Sequence, residues 1–415
     1  MSFKRKSFWK AFGPGILFAS TCIGVSHLVQ STRAGADYGF ELVLFIILAN
    51  LFKYPFFEFG SRYAAATGKN LLEGYKKQGK WAIWLYFLIS IVAMFTVTAA
   101  VTFVTAGMLN NLLGLNINGT VMSGLILMFC TALLAIGKFN LLDNLLKVIG
   151  SVLLLSTLTA FFGVLIQGRI EPLDSFVPKE LWERNGIIFL IALMGWMPTA
   201  VDLSTWNSIW AVEKMKQNGL RSQLKDVLFD FNFGYIITAI LALCFLTLGA
   251  FVMYGSGEEL SSNSTVFSDQ VVRLYTNALG SWAYIVIAIA AFSTMFSTTI
   301  TVVDGYGRAM GETVRLLFFN QTKPERLYRV LMVIVSIGAF IFIWLLAANL
   351  KQLVDLATTF SFVVAPIIAW INYRVIMSDQ IDAAHQPPRW LKALAISGLV
   401  FLSVFAIIYI VVYFL

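Results

Sequence analysis

The sequence predicts an all-α integral membrane protein that forms a single transmembrane domain over residues 1–415. Hydrophobic residues make up 59% of the chain and charged residues only 13%, which indicates that lipid, not water, surrounds most of it. Its apolar stretches reach the roughly 20 residues that a membrane-spanning helix needs and exceed the roughly 10 of a transmembrane β-strand. We therefore expect about eleven membrane-spanning helices.

Each predicted span is a window of mostly apolar residues between charged or glycine-containing connections. A cleavable signal is not expected, because the basic segment Met1–Lys10 runs into a full-length span without a small-residue cleavage site. In order, the predicted spans are 13–34, 41–66, 81–112, 120–137, 144–167, 186–212, 227–253, 281–306, 328–349, 352–376 and 389–414.

Lysine and arginine collect on one side of this topology. With the N-terminus in the cytoplasm, most of the 30 basic residues fall in cytoplasmic segments, as the positive-inside rule requires. An odd number of spans then places the C-terminus outside a plasma (inner) membrane. The net charge of +8 reflects this topology and the attraction of anionic lipid, so the bilayer is an expected partner and nucleic acid is not.

Neither the cysteines nor the loops indicate an additional functional site. Cys22, Cys130 and Cys244 all lie in predicted spans, which argues against disulfides and zinc-type spacing. The two longest outer connections, 167–185 and 254–281, are expected to be solvated surface, with an entry vestibule as the alternative. The chain has no G-x-x-x-x-G-K-(S/T) loop for a nucleotide, and no cofactor is expected.

The first predicted span is interrupted by polar residues. Between Gly13 and Gly39 the apolar pattern contains Gly24, Ser26, His27 and Gln30. Inside hydrocarbon every polar group needs a partner, so such a cluster faces a bundle interior or a watery cavity. A histidine at mid-span is expensive and usually functional, which favours His27 as a contact for a solute or a proton.

The sixth predicted span, within Gly186–Val212, has the same design. Its interrupting residues are Gly195, Pro198, Thr199, Asp202 and Asn207, with Trp196 beside the break. Two interrupted hydrophobic segments at corresponding places in the two halves of a chain are typical of the central site of a secondary transporter. We expect both segments to surround one small solute near the membrane midplane.

Three runs of residues resemble the Nramp metal-ion transporters. The run GPGILFASTCIGVSHLVQSTRAGADYGFELV resembles the first helix of that family, which reads G-P, an apolar stretch, Asp-Pro-Gly-Asn and A-G-A-x-Y-G. The run FFEFGSRYAAATGKNLLEGY resembles the second helix, and WMPTAVDLS is similar to the M-P-H motif of the sixth. The resemblance implies a LeuT-like fold with helices 1 and 6 broken at mid-membrane. Two inverted five-helix repeats, at about 10–167 and 186–376, would be followed by an additional helix at 389–414.

The chain departs from the family pattern where the metal binds. The aligned Asp-Pro-Gly-Asn motif is replaced by Gly24, Val25, Ser26 and His27. The later family positions in helices 6 and 10 read Met197, Pro198, Thr199, Ser204 and, at or near the tenth-helix ligand, Thr358. Both hard oxygen ligands of the first helix and their negative charge are absent, so we expect manganese, iron or cadmium to bind more weakly than in ordinary family members.

Neutral donors and acceptors at the two breaks favour an uncharged, hydroxyl-rich solute, and nearby indoles suit a sugar ring. The main prediction is a transporter of a sugar such as a hexose, or of a polyol. The alternatives are a divalent metal-ion transporter for a magnesium-like hydrated ion or a transition metal, with Met197 and His27 as fallback ligands, and a non-transporting membrane sensor. The predicted substrate contacts are Gly24, Ser26, His27, Gln30, Trp196, Met197, Thr199, Asp202, Asn207 and Thr358.

Coupling and gating groups are also predicted. His27 and Asp202 are candidate proton carriers, and coupling to protons, to sodium or to neither stays open. Glu58 and Arg62, four residues apart, pair on one helix face and are expected, with Asp304, to have gating or structural roles. An enzyme is not expected, because Ser26 and His27 are sequence neighbours and form no recognisable triad. A monomer fits the sequence, which leaves the oligomeric state open.

Overall fold

The described part of the chain is built from α-helices and connecting loops. The computed structural model describes residues 13–137, 139–219, 223–319, 324–346 and 349–414, and these ranges contain no β-strand, so the all-α prediction is confirmed. The basic segment Met1–Lys10 lies outside the described residues. The helices are α1 (Pro14–Cys22), α2 (Thr32–Tyr38), α3 (Val43–Thr67), α4 (Leu71–Gln78), α5 (Lys80–Leu113), α6 (Gly119–Ile136), α7 (Phe139–Gln167), α8 (Arg184–Gly195), α9 (Ser204–Asn218), α10 (Leu224–Val252), α11 (Ser264–Leu279), α12 (Tyr284–Phe318), α13 (Pro324–Leu346), α14 (Leu350–Ile376) and α15 (Arg389–Phe414).

Every predicted span coincides with a helix or with a pair of half-helices. Eight helices in the described ranges are long and apolar enough to cross a membrane, namely α3, α5, α6, α10, α12, α13, α14 and α15. The fifth predicted span is α7, the first is divided into α1 and α2, and the sixth into α8 and α9. The eighth span is longer than predicted, because α12 continues beyond the apolar segment into a charged one. Asp304 and Arg308, four residues apart, form an ion pair at 2.7 Å in this part of the helix.

The first span breaks after Cys22. Gly24 lies so close to α12 that a Cβ atom there would come within 2.9 Å of the Thr298 side chain. The chain then forms a wide, π-type helical turn over Ser26–Ser31 before α2 begins. This close approach brings the break against α12.

The sixth span breaks after Gly195. A Cβ atom on Gly195 would lie 2.0 Å from the carbonyl oxygen of Thr358, so only glycine allows α8 to end against α14. Pro198 has no N–H and cannot continue the helix. A short turn over Val201–Leu203 leads into α9. The predicted breaks in the first and sixth spans are both confirmed.

Helix α10 packs against both halves of the first span. A Cβ atom on Gly35 of α2 would lie 1.9 Å from the carbonyl oxygen of Leu246. At the other end, the Asp230 carboxylate accepts hydrogen bonds from the backbone N–H groups of Gly13, at 3.1 Å, and Gly15, at 2.6 Å. These orphan N–H groups open α1, so α10 caps the helix that precedes the break.

The outer connection 254–281 is not wholly solvated, and that prediction is wrong. It contains α11, whose first turn is capped by the Asn263 side chain. Phe267, Val271 and Tyr275 lie four residues apart on the buried face of α11, which packs against α5 and α7. A 16-residue amphipathic helix is too short and too polar to show up in a search for membrane spans.

Candidate functional site

A small cavity lies where the two helix breaks meet. Its volume is about 20 Å³, which is close to the roughly 10–15 Å³ that one water molecule requires. Pockets for drug-sized organic ligands begin at about 300 Å³. The polar part of the lining comes from Thr21, Ser26, Trp196, Thr199 and Thr298, and the rest is aliphatic. The cavity therefore has room for one ion or one water molecule.

Two hydroxyl groups of this cavity, those of Thr21 and Thr298, are turned to act as acceptors. Thr21 Oγ1 donates to the Leu17 carbonyl at 2.8 Å. Ser26 Oγ lies 2.5 Å from the Cys22 carbonyl and 2.8 Å from His27 Nδ1, and its single hydrogen serves these two neighbours. Thr298 Oγ1 lies 3.0 Å from the Thr294 carbonyl and 3.1 Å from the Ser20 carbonyl. A hydroxyl has one hydrogen and two lone pairs, so lone pairs remain after these bonds are made. Such a lining favours a cation over an anion.

His27 does not line this cavity. Its Nδ1 lies 2.8 Å from Ser26 Oγ and its Nε2 lies 2.8 Å from the Thr238 carbonyl oxygen of α10, and the side chain is fully buried. With both ring nitrogens engaged, His27 would coordinate a metal only by breaking one of these contacts. Its predicted roles in solute or proton binding stay predictions.

Gln30 and Thr358 belong to a second polar group, which we call the outer cluster: Gln30, Arg33, Asp355 and Thr358. Gln30 Nε2 donates to Asp355 Oδ1 at 3.2 Å and to Thr358 Oγ1 at 3.3 Å. Arg33 donates to Gln30 Oε1 at 2.9 Å and to both carboxylate oxygens of Asp355, at 2.7 and 3.1 Å. The guanidinium also lies 4.8 Å from the Phe189 ring centre. The outer cluster thereby joins α2, α8 and α14 at the end predicted to face outside.

A further ion pair covers the same end. Lys179 Nζ, from the connection between α7 and α8, lies 2.7 Å from Asp37 Oδ1 and 3.4 Å from Glu259 Oε1. Burial by itself lowers the pKa of Lys179, but the hydrogen bond and negative charge of Asp37 outweigh it, so this pKa lies above its ordinary value. Lys179 therefore stays charged and ties the connection to α2.

Trp196 and Met197 both lie at the break in the sixth span, but only Trp196 lines the cavity. Trp196 Nε1 donates to Ser361 Oγ of α14 at 2.9 Å, which fixes the indole in place. Met197 is fully buried, and its sulfur lies 4.0 Å from the hydroxyl of Ser31. The thioether is therefore beside the wide turn of the first span.

Lys53 reaches the same break from α3. Its ammonium donates to three backbone carbonyl oxygens, those of Met194 at 2.5 Å, Gly195 at 2.8 Å and Thr199 at 3.3 Å. Asp202, a predicted solute contact, is buried outside the cavity lining and accepts a hydrogen bond from the Tyr306 hydroxyl at 3.3 Å.

The predicted gating residues lie away from the cavity. Glu58 and Arg62 pair as expected, with Arg62 Nε 2.9 Å from Glu58 Oε2. Arg62 Nη1 also donates to the His385 carbonyl at 2.9 Å, which connects α3 to the segment between α14 and α15. Asp304 accepts hydrogen bonds from Arg308 Nε and from the Tyr328 hydroxyl, both at 2.7 Å.

Asn207 is buried on α9, and neither its amide nitrogen nor its amide oxygen has a hydrogen-bond partner within the described ranges. It is not part of the cavity lining, so the structure does not bring it together with the other predicted solute contacts. Among the predicted residues, the cavity unites only Ser26, Trp196 and Thr199.

Sequence reasoning missed Thr21, Thr298, Lys53 and Asp355 as parts of this region. Two signals were available: charged residues inside membrane spans are usually functional, and Thr298 lies in a segment, 293–301, that is rich in Ser and Thr. Among the described residues, no group of three or more His, Cys, Asp or Glu side chains could hold a metal. A cation in the cavity would therefore rely on hydroxyl and carbonyl oxygens.

Comparison with known proteins identifies the family. A family model described as "Natural resistance-associated macrophage protein-like" (Nramp) matches residues 15–412. The chain is 37% identical over 413 residues to the uncharacterised protein PM0681 of Pasteurella multocida, covering 98% of this chain and 94% of that one. It is 25% identical over 346 residues to the divalent metal cation transporter MntH of Staphylococcus saprophyticus, covering 81% and 75%.

Solved structures agree on the fold. A crystal structure of a point mutant of the manganese transporter of Eremococcus coleocola superimposes with a TM-score of 0.74 at 13% identity and covers 98% of this chain and 87% of its own. MhsT, crystallised in complex with L-phenylalanine, superimposes with a TM-score of 0.61 at 13% identity, covering 96% of this chain and 98% of its own. Together these features define a multi-pass integral membrane transporter with a LeuT-like fold. The chain belongs to the Nramp family.

The prediction of a sugar or polyol as substrate is wrong. The family match and the named relatives point to metal transport, since MntH proteins are described as divalent metal cation transporters. The size of the cavity agrees, because about 20 Å³ leaves no room for a sugar ring. Of the sequence-based readings, the metal-ion alternative is the one that fits these findings.

Proposed function

We propose that this protein carries a divalent metal ion across the membrane by alternating access, with the ion held in the cavity between the two helix breaks. The observation that carries the proposal is the cavity itself. It has the volume of a single ion, and the hydroxyls of Thr21 and Thr298 in its lining donate their hydrogens to helix carbonyls, which leaves their oxygen lone pairs for a cation. The metal-transporting relatives support the same substrate class.

The ligand chemistry favours a hard divalent ion. Ser26, Thr199 and Thr298 offer oxygen atoms, which suit magnesium and manganese better than copper or zinc. The nearby soft donors are less available, because His27 has both ring nitrogens engaged. Neutral oxygens offset less of the dehydration cost of a dication than carboxylates do, so we expect weak binding, suited to an abundant ion.

Two sets of contacts would close the pathway on either side of the cavity. At one end the outer cluster holds α2 against α14. At the other, Asp230 holds the start of α1, and Arg62 ties α3 to the segment before α15. Transport would alternate between breaking one set and breaking the other, with the half-helices moving around a fixed site.

Metal uptake into sealed proteoliposomes tests the proposal. We expect saturable entry of Mn²⁺ or Mg²⁺, detected by a metal-sensitive dye inside the vesicles, with each divalent ion competing against the other. Labelled hexose and polyol should not enter. Sugar entry without any divalent flux would contradict the proposal. Imposed pH and sodium gradients in the same vesicles address coupling, for which His27 and Asp202 remain candidate proton carriers.

A further inference from the structure

Lys53 is a buried lysine whose Nζ has three carbonyl acceptors at the break in the sixth span, which matches the three N–H groups of an ammonium. Its side chain is fully buried, and its three acceptors all belong to the broken segment. Met194 and Gly195 are the last residues of α8. Carbonyls in a last helical turn lack helical partners and carry the negative end of the helix dipole, so they attract a positive charge.

Carbonyl oxygens of this kind are also ordinary ligands for metal cations in membrane transporters. A metal ion at the Thr199 side of the cavity would therefore compete with the Lys53 ammonium for such oxygens. No ion pair within 4.0 Å involves Lys53 among the described residues. Asp202 is the nearby acidic group whose charge acts on it. The positive charge of Lys53 is thus not cancelled by direct contact with a carboxylate.

We propose that Lys53 is a built-in cation that occupies metal-binding carbonyls at the break in the sixth span and thereby lowers the affinity for the transported divalent ion. This inference rests on the proposed function. Thr199 connects the two sites, because it lines the cavity and its carbonyl oxygen accepts from Lys53 at 3.3 Å. An ammonium at this position repels a dication in the cavity and occupies the Thr199 carbonyl, which belongs to the one acceptor residue that also lines the cavity.

The test compares metal binding by the full-length wild type with that of Lys53→Met, which removes the charge and keeps a long apolar chain. Binding of MnCl₂ and MgCl₂ to purified protein is measured by titration calorimetry and by the rise in unfolding temperature, at constant ionic strength. We expect the variant to bind at least about tenfold more tightly, because Coulomb repulsion is strong in a low-dielectric interior. Lys351→Met, at a partly buried lysine of α14, is the matched control and should bind as the wild type does.

A second pair of variants keeps the test decisive where Lys53→Met does not fold. Lys53→Gln is neutral but still donates a hydrogen bond, and it should also bind metal more tightly, whereas Lys53→Arg keeps the charge and should not. Unchanged affinity in the folded neutral variants, with a lowered unfolding temperature that metal does not restore, would overturn the inference and make Lys53 a structural clamp only.

Wild-type uptake of metal by proteoliposomes, measured alongside, separates this inference from the proposed function. Uptake by the wild type without a gain in affinity in the neutral variants overturns the role of Lys53 and leaves the proposed function standing. A gain in metal affinity in the neutral variants, with no metal uptake by the wild type, supports the role of Lys53 at the carbonyl oxygens and contradicts the proposed transport function.

Discussion

Arg33 and Asp355 form a bidentate ion pair. It joins α2, the second half of the broken first span, to α14, the tenth span. Nη1 and Nη2 of Arg33 lie 2.7 and 3.1 Å from the two carboxylate oxygens of Asp355. The arginine side chain is 7% exposed and that of the aspartate 31%, so the pair is sheltered on one side only. The wide turn over Ser26–Ser31 connects the cavity to α2, so this contact restrains the wall to which Ser26 belongs.

Asp355→Asn should open the end of the pathway that the outer cluster closes. The change removes one charged partner of a hydrogen bond worth about 1.5–3 kcal/mol, so the open state gains roughly tenfold or more in population. A cysteine introduced at Thr358 should then react faster with a membrane-impermeant maleimide. Arg273→Gln is the control, because it breaks an exposed ion pair with Asp269 at 2.6 Å. Equal labelling rates in the two variants would contradict the gating role.

Thr298→Val should weaken metal binding. It removes one hydroxyl oxygen from the cavity while keeping the shape of the side chain, and an ion left without that ligand should lose about 1–3 kcal/mol of binding free energy. Thr301→Val is the matched control, since Thr301 also donates to the carbonyl four residues earlier, at 2.7 Å, but does not line the cavity. Calorimetry with MnCl₂ compares the two. The same loss in both variants would mean that the cavity hydroxyl has no special role.

Gly195→Ala should destabilise the protein strongly. The added Cβ would lie 2.0 Å from the carbonyl oxygen of Thr358, and backbone cannot move aside as a flexible side chain can. Overpacking of this kind costs about 1–3 kcal/mol or more. Gly163→Ala in α7 is the control, because its Cβ would meet nothing closer than 3.4 Å and alanine favours the helix. Unfolding temperatures measured in detergent compare the two variants. Equal unfolding temperatures would contradict the close packing of the end of α8 against α14.

Asp230→Ala should loosen the start of α1. The substitution leaves the N–H groups of Gly13 and Gly15 without their acceptor, and a lost helix cap costs about 0.5–2 kcal/mol. Hydrogen exchange at the first turns of α1 should therefore speed up, and exchange elsewhere should change little. Asn118→Ala removes the cap of α6 and serves as the control. If exchange in α1 speeds up equally in both variants, the start of α1 does not depend on Asp230, and its local role is contradicted.

The spans and their breaks were predictable because each depends on local sequence. Apolar length sets the spans, and Gly24, Gly195 and Pro198 mark positions where a regular helix is costly or impossible. The family resemblance then implied the fold that the solved structures confirm.

The contents of the site were not predictable in the same way. Lys53 and the Met194 carbonyl are 141 residues apart, and Arg33 and Asp355 are 322 apart, so only the packed fold brings them together. The pattern of neutral polar residues suggested a sugar, because it reports which groups are present but not how much space lies between them. The cavity volume and the bonds already made by each hydroxyl and imidazole exist only in the packed fold, and it is the family comparison that overturns the sugar prediction.

The position of a bound metal tests the central claim most directly. A structure of the full-length protein in MnCl₂, with anomalous diffraction data that distinguish manganese from water, locates the ion without reference to transport. We predict a peak in the cavity between the two breaks, within coordinating distance of oxygen atoms of Ser26, Thr199 or Thr298. An anomalous peak bound elsewhere in the bundle, or an empty cavity at saturating manganese in a protein that transports it, would contradict the account.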